Sequence, residues 1–114
     1  MSRNRRSRDR GYISSHVSIA AATYNEFDVD YLVLAGGGSG GAIVGGGGGA
    51  GGLRSTVTAT GGGGSLETAL TLDGLFNYYV IIGAGGIAGA TASTGGTGSN
   101  SSFNNIVSLG GGGG

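Results

Sequence analysis

Glycine restricts this chain more than any other feature of its sequence. It accounts for 30 of the 114 residues, and most of these glycines lie in continuous or nearly continuous runs. A glycine inside a helix costs about 1 kcal/mol relative to alanine, and the residues between the runs are mainly β-branched, aromatic or serine. We therefore expect no regular helix. Collagen is also excluded, because glycine does not recur at every third residue and the sequence contains no proline.

Short apolar stretches between the glycine runs have the two-residue period of β-strands. Along 26–35, acidic and apolar residues first alternate, and Leu32, Val33 and Leu34 then form an apolar run that we expect to be buried on both faces. The pair Asp73-Gly74, between two apolar stretches, predicts a tight hairpin. Further strands are predicted at 53–60, 65–72, 75–82, 102–103 and 106–109, and the segment 12–23 fits either a strand or a short helical turn.

These patterns predict an all-β fold, a small sandwich of six to seven short strands linked by glycine-rich segments. Two physical states are open to those segments. They can be flexible loops, because glycine loses the most backbone freedom on folding. They can also be extended helices with three residues per turn, known as polyglycine II, which pack side by side and hydrogen-bond through their main chains. We predict that some of the glycine segments are ordered in this second way.

The charges are unevenly distributed, although the formal net charge is zero. The first ten residues carry a net +4 and the remainder carries −4. We therefore predict an Arg-rich N-terminal arm with a lead-in segment at 1–29 and a glycine-rich β domain at 30–114. The arm fits a solvated tail, a segment that docks into an acidic protein groove, or a nucleic-acid contact, and the lack of interleaved aromatic residues disfavours nucleic acid. The candidate docking residues are Arg3, Arg5, Arg6, Arg8 and Arg10.

Motifs that suggest cofactors fail on their context. Gly83, Gly85 and Ala88 have the spacing of a dinucleotide-binding turn, which requires a following helix and an acidic residue about 20 positions later. The segment 90–96 is a poor helix, and no acidic residue follows Asp73. A Walker-type phosphate loop is excluded because the chain contains no lysine. We therefore predict no cofactor.

Metal and catalytic arrangements are equally weak. Glu26, Asp28 and Asp30 share one strand face and could approach a calcium ion, but an exposed acidic strand face is the simpler interpretation. His16 is the only histidine, and no nucleophile turn accompanies it. We predict no metal site, no catalytic residue and no enzymatic activity. The longest strongly apolar stretch, 78–82, is too short for a membrane span, so no membrane insertion is expected.

Five blocks follow one another along the chain: Asp30–Gly38, Gly47–Arg54, Tyr79–Gly86, Gly98–Phe103 and Ile106–Gly111. In this order they resemble the glycine-rich domain of bacteriophage tail-fibre and adhesin proteins. The resemblance spans 30–114, and the stretch 61–69 departs from it as an insertion. Members of the family usually continue beyond the final glycine run, so the chain is expected to be a fragment of a longer fibre protein.

The resemblance implies a structural protein of the virion surface that takes part in host attachment. Its expected partners are other virion proteins (a tail adaptor, the baseplate or the capsid), to which the arm would anchor it, and a host surface receptor. The alternatives are a head fibre or capsid decoration protein, or a free-standing glycine-rich structural or ice-binding protein. The Arg arm argues against a free-standing protein, which needs no charged extension.

Two further expectations concern assembly and receptor contact. A domain of this size buries little apolar surface and has no disulfide, so its strand edges would be satisfied better between subunits. We therefore predict a homo-oligomer, most simply a trimer. Receptor contacts are expected from small-residue loops, with Ile43, Val44, Ile87 and Asn100 as the candidate residues.

Overall fold

The structure is a computed structural model that describes residues 25–114. The described residues fall into two compact units, a small one of 25–28 and 71–77 and a larger one of 29–70 and 78–114. The predictions made for the segment 12–23 and for most of the N-terminal arm lie outside the described residues. The strands are β1 (Glu26–Val29), β2 (Leu32–Leu34), β3 (Leu53–Ser55), β4 (Leu70–Asp73), β5 (Val80–Ile81), β6 (Ser101–Phe103) and β7 (Ile106–Ser108).

The strands form three small sheets. β1 pairs with β4, β2 pairs with β3, and β5, β6 and β7 form a three-stranded sheet in that order. The pairings of β2 with β3, β5 with β6 and β6 with β7 are antiparallel. Within the larger unit, β2 contacts β6 and β7, and β3 contacts β7, so these two sheets face each other. The prediction of an all-β fold with six to seven short strands is confirmed, and the helical residues within 25–114 are confined to a 3₁₀ turn at Gly61–Gly63.

β3 ends earlier than the alternation of 53–60 predicts. The Ser55 side chain is fully buried, and its hydroxyl accepts hydrogen bonds from the N–H groups of Val57 and Thr58, each at 3.1 Å. A serine that bonds the next N–H groups offers the backbone an alternative to the ladder and turns the chain. The strand therefore ends at Ser55, although the alternation of side chains continues to residue 60 in the sequence.

The hairpin predicted at Asp73-Gly74 is wrong, although the turn itself is present. The Asp73 carboxylate accepts a hydrogen bond from the N–H of Leu75, and its carbonyl accepts one from Phe76. The flanking strands do not pair with each other, because β4 lies beside β1 and β5 lies beside β6. The hairpin at this end of the chain connects β6 with β7 instead, and Asn104 in its turn has the left-handed φ of 52° that asparagine tolerates.

The two-sided burial predicted for the run Leu32–Leu34 is also wrong. Val33 is buried against the facing sheet, whereas Leu32 and Leu34 point to the opposite side and are each more than half exposed. Only one side of β2 is covered by another sheet within the described chain. The buried apolar residues are correspondingly few: Tyr31, Val33 and Ala35 in the larger unit and Leu72 in the smaller one.

Candidate functional site

Each strand of the facing sheets continues into, or follows, a glycine-rich segment. Segment I extends from β2, segment II leads into β3, segment III extends from β5, segment IV leads into β6, and segment V extends from β7. These names refer to residues 35–42, 45–52, 83–90, 93–100 and 109–114, respectively.

The glycine segments are ordered by main-chain hydrogen bonds that repeat every three residues. In segment I, residues 35, 38 and 41 donate their N–H groups to segment II, and residues 36, 39 and 42 donate theirs to segment IV. Segment V donates from 111 and 114 to segment I, and segment III receives bonds at 84 and 87 from segment IV. A three-residue repeat is that of the extended helix with three residues per turn. The five segments therefore form a lattice of polyglycine II helices around segment I.

Close approach of main chains explains why the inward positions are glycine. A Cβ on Gly36 would collide with the carbonyl of Ala84, and one on Gly98 would collide with the carbonyl of Gly36. At Gly47 and Gly112, in contrast, a Cβ would meet no atom within 4 Å. Every side chain larger than a methyl group in segments I to IV is exposed, with one exception. That exception is Ser39, whose hydroxyl donates to the carbonyl of Ile87 at 2.6 Å and accepts from the N–H of Gly96 at 2.9 Å.

Two turns close the lattice at the end opposite to the strands. The turn between segments I and II carries Ile43 and Val44, which are 78% and 95% exposed. Ile43 has a left-handed φ of 60°, as does Ala92 in the turn between segments III and IV. This conformation is a real outlier for a β-branched residue and stores about 1–3 kcal/mol of strain. The structure thus holds an exposed apolar side chain in an unfavourable backbone conformation at the end of the lattice.

The two turns border one cleft. It has a volume of about 440 Å³ and is lined by Ala42–Gly46 on one side and Ala92–Thr94 on the other, together with Gly114. Its chemistry is that of isoleucine, valine and alanine methyl groups beside main-chain groups and the hydroxyls of Ser93 and Thr94. Such a surface can contact a ligand with apolar and hydroxyl groups, and it carries no charged side chain.

The structure brings together only two of the residues predicted for receptor contact, Ile43 and Val44. Ile87 is exposed on the outer side of segment III. Asn100 lies at the strand end of segment IV, where its side-chain oxygen accepts a hydrogen bond of 2.9 Å from the N–H of Gly110. The five arginines of the arm lie outside the described residues.

A polar cluster that the sequence did not reveal joins the residue before β2, the strand β3 and the segment before β4. Arg54 binds Glu67 through Nε and Nη2, both at 2.8 Å, and the Tyr31 hydroxyl donates to the same carboxylate at 2.5 Å. The hydrogen bonds from Arg54 and then Tyr31 lower the pKa of Glu67 below its ordinary value. Burial, and then the Glu67 carboxylate, raise the pKa of Tyr31. No local motif signals this cluster, because its members are 13 and 36 residues apart.

Other candidate sites have structural partners or no supporting geometry. Asp28 accepts a hydrogen bond from Thr71, and Asp30 accepts one from Thr56. No group of three metal-ligating side chains occurs within residues 25–114. After β5, the dinucleotide-like sequence continues as segment III, whose carbonyls accept main-chain bonds in place of a helix that would bind pyrophosphate. A helix of the length and apolarity needed to cross a bilayer is absent from the same residues.

A search of the curated proteins and a search of the solved structures found no match. The family model described as the glycine-rich domain matches residues 16–114, which is most of the chain. This protein therefore belongs to the glycine-rich domain family.

Proposed function

We propose that this chain is a structural component of a bacteriophage virion, part of a tail fibre or adhesin on the particle surface that takes part in host attachment. The proposal rests on one observation: a lattice held by its main chain ends in a turn that exposes Ile43 and Val44. Because the lattice uses almost no side chains, its form does not depend on the residues in its turns. A rigid framework that presents independent turns is suited to recognition rather than to catalysis.

Ile43 is the strongest support for recognition by this end of the lattice. A left-handed β-branched residue destabilises the fold, and its exposed side chain gains nothing from burial within the chain. Such a residue is expected where a partner contacts it, because the strain then positions the side chain for binding. We propose that Ile43 and Val44 contact a host surface receptor.

The arm supplies the other half of the proposal. Arg3, Arg5, Arg6, Arg8 and Arg10 would anchor the chain to an acidic groove of a tail adaptor, the baseplate or the capsid. Guanidinium groups suit this role because each can form two parallel hydrogen bonds with one carboxylate.

Localisation on virus particles tests the structural assignment. Antibodies against the chain, visualised by immunogold electron microscopy, should label the tail fibres of purified phage. Label on the head would replace this assignment by a head fibre or decoration protein, and protein found only outside particles would contradict both. A variant with all five arm arginines replaced by glutamine should be lost from particles, whereas normal incorporation would contradict anchoring by the arm.

Competition for host cells tests the attachment role. Purified protein should reduce phage adsorption, and the double variant Ile43→Ser/Val44→Ser should be weaker by about tenfold or more, because two apolar contacts are removed. Val57→Ser provides the matched control, since Val57 is also exposed but lies after β3. Equal competition by wild type and the double variant would contradict receptor contact through this turn.

A further inference from the structure

An apolar groove lies at the strand end of the larger unit, away from the lattice turns. It has a volume of about 380 Å³ and runs between β2 and β5, with β6 contributing the rest of its lining. Leu32 and Leu34 line it from β2, and Val80 and Ile82 line it from β5 and the residue after it. All four side chains are more than half exposed. Soluble proteins rarely expose contiguous apolar surface, and where they do, it commonly marks an interaction site.

Strand β2, which borders the groove, has an open hydrogen-bonding edge. Tyr31 and Ala35 form main-chain bonds with Thr56 and Gly52, and β2 is paired with β3 between these two points. Bonded and non-bonded pairs alternate along an antiparallel ladder, so the main-chain groups of Leu32 and Leu34 point away from β3. They have no hydrogen-bond partner among the described residues.

β5 has a second open edge on the same groove. The carbonyl of Tyr79 accepts the N–H of Asn104, so Ile81 and Ser102 form the next bonded pair between β5 and β6. The main-chain groups of Val80 and Ile82 consequently point away from β6, and they also lack a partner within residues 25–114. Exposed edges of this kind pair readily with another strand.

The groove carries almost no charge. Its one ionisable acidic side chain is Asp30, which accepts a hydrogen bond of 2.9 Å from the Thr56 hydroxyl. Like charges therefore do not oppose the meeting of two identical copies at this surface. A basic partner, in contrast, would find only the one carboxylate of Asp30 here, and an acidic partner would find no basic side chain.

We propose that this groove is a self-association surface, at which the open edge of β2 in one copy pairs with the open edge of β5 in a second copy. The pairing joins the β2–β3 sheet of one copy to the β5–β6–β7 sheet of the next and buries Leu32 and Leu34 against Val80 and Ile82. Because both edges border one groove, a two-fold dimer can pair the β2 of each copy with the β5 of the other and so close the contact. This surface would produce the homo-oligomer expected from the sequence, and it does not depend on host attachment.

Sedimentation velocity of the full chain over a range of concentrations tests the proposal. Wild type should sediment as a multimer, and Leu34→Arg/Ile82→Arg should sediment as a monomer while its far-ultraviolet circular dichroism stays that of wild type. Val57→Arg places the same charge on another exposed valine and should remain multimeric. A wild-type monomer at the highest soluble concentration, or a multimer in the double variant, would overturn the proposal.

Disulfide trapping provides a second measurement that does not rely on disrupting the surface. The chain has no cysteine, so Leu34→Cys and Ile82→Cys introduce single thiols. Oxidation of a mixture of the two variants should give the mixed disulfide in excess of either homodimer, whereas Val57→Cys should not crosslink with either. Crosslinking of Leu34→Cys only with itself would overturn the pairing of β2 with β5. The adsorption assay for Ile43 and Val44 is independent, because those turn variants should stay multimeric.

Discussion

The glycine lattice and the strands of the larger unit are stabilised in different ways, although the same chain segments run through both. The strands and the residues that flank them bury a few apolar side chains, Tyr31, Val33 and Ala35, and leave most of the other large apolar residues exposed. The lattice buries no large side chain and is held by main-chain hydrogen bonds at three-residue intervals. In the strands, stability depends on which side chain is present, whereas in the lattice it depends on the absence of one.

This difference has an energetic consequence. Ordering glycine costs more backbone entropy than ordering any other residue, and the lattice offsets that cost with bonds in several directions at once. Segment I has bonds to segments II, III, IV and V. A β-strand, whose bonds lie in one plane, can reach only two neighbours. A segment surrounded by several others therefore forms more main-chain hydrogen bonds, and only glycine allows main chains to approach closely on all sides.

The largest effect is expected from a methyl group placed inside the lattice. Gly98→Ala would drive its Cβ into the carbonyl of Gly36, and main chains that are bonded on several sides cannot move apart cheaply. We expect a loss of about 3 kcal/mol in the free energy of unfolding, measured by chemical denaturation.

Gly47→Ala is the matched control for this comparison. A Cβ at Gly47 meets open space, so the substitution should be neutral or stabilise the fold by about 0.5 kcal/mol through the unfolded chain. Similar losses in both variants would show that the lattice does not depend on close approach.

A smaller effect of opposite sign is expected at the turn. Ile43→Gly relieves the left-handed strain at φ 60° and should raise the free energy of unfolding by about 1 kcal/mol, after the extra flexibility of glycine is deducted. Val44→Gly removes a neighbouring side chain that is also exposed, without that relief, and should not stabilise the protein. The Ile43→Gly variant should at the same time compete less well with phage for adsorption to host cells than the wild-type protein does. A destabilised Ile43→Gly would contradict strain at this residue.

The smallest effect is expected from the polar cluster beside the strands, and it depends on pH. Arg54 and Tyr31 lower the pKa of Glu67, so the unfolded chain binds the proton more readily than the fold does. The contribution of Glu67 is therefore complete above the ordinary carboxyl pKa, about 4.3, and is lost as the pH falls through the lowered pKa of the folded state. Glu67→Gln should flatten the decline of stability in this acid range, as followed by denaturation at several pH values.

Arg54→Met supplies the control for the pH experiment. It removes the first cause of the lowered pKa and should flatten the same acid range, and the double variant should add little to either single change. Additive effects of the two substitutions would indicate that the side chains act separately.

The sequence predicted the strands best where a local pattern and a local partner coincide. Ser102-Phe103 and 106–109 are neighbours in the chain and pair with each other as β6 and β7. The interruptions by glycine also predicted where strands end and ordered main-chain segments begin. The strands at 53–60 and 75–82 were predicted too long. Side-chain alternation does not report that the Ser55 hydroxyl turns the chain after β3. It also does not report that Tyr79 bonds Asn104 in the turn after β6, where the partner strand of β5 ends.

The failures at Asp73-Gly74 and at Leu32–Leu34 have one cause. A turn signal reports the local backbone and cannot report which strand lies beside which, so β4 pairs with β1 and not with β5. An apolar run likewise reports that burial would be favourable, not that a second sheet covers both sides. The cluster of Tyr31, Arg54 and Glu67 could not be predicted for the same reason, since its members meet only when the chain is folded.

Local patterns in the sequence are enough to predict that the chain is all-β, that it has few side chains with which to build a core, and that its glycine segments either pack or remain flexible. The reason is that propensity and periodicity are properties of neighbouring residues. Three features become visible only in the folded chain: the packing of the glycine segments as polyglycine II, the strained turn at Ile43, and the open edges of β2 and β5 on one groove. These features depend on which main chains approach each other in space. A glycine run has no side-chain pattern from which its partners in the fold could be predicted.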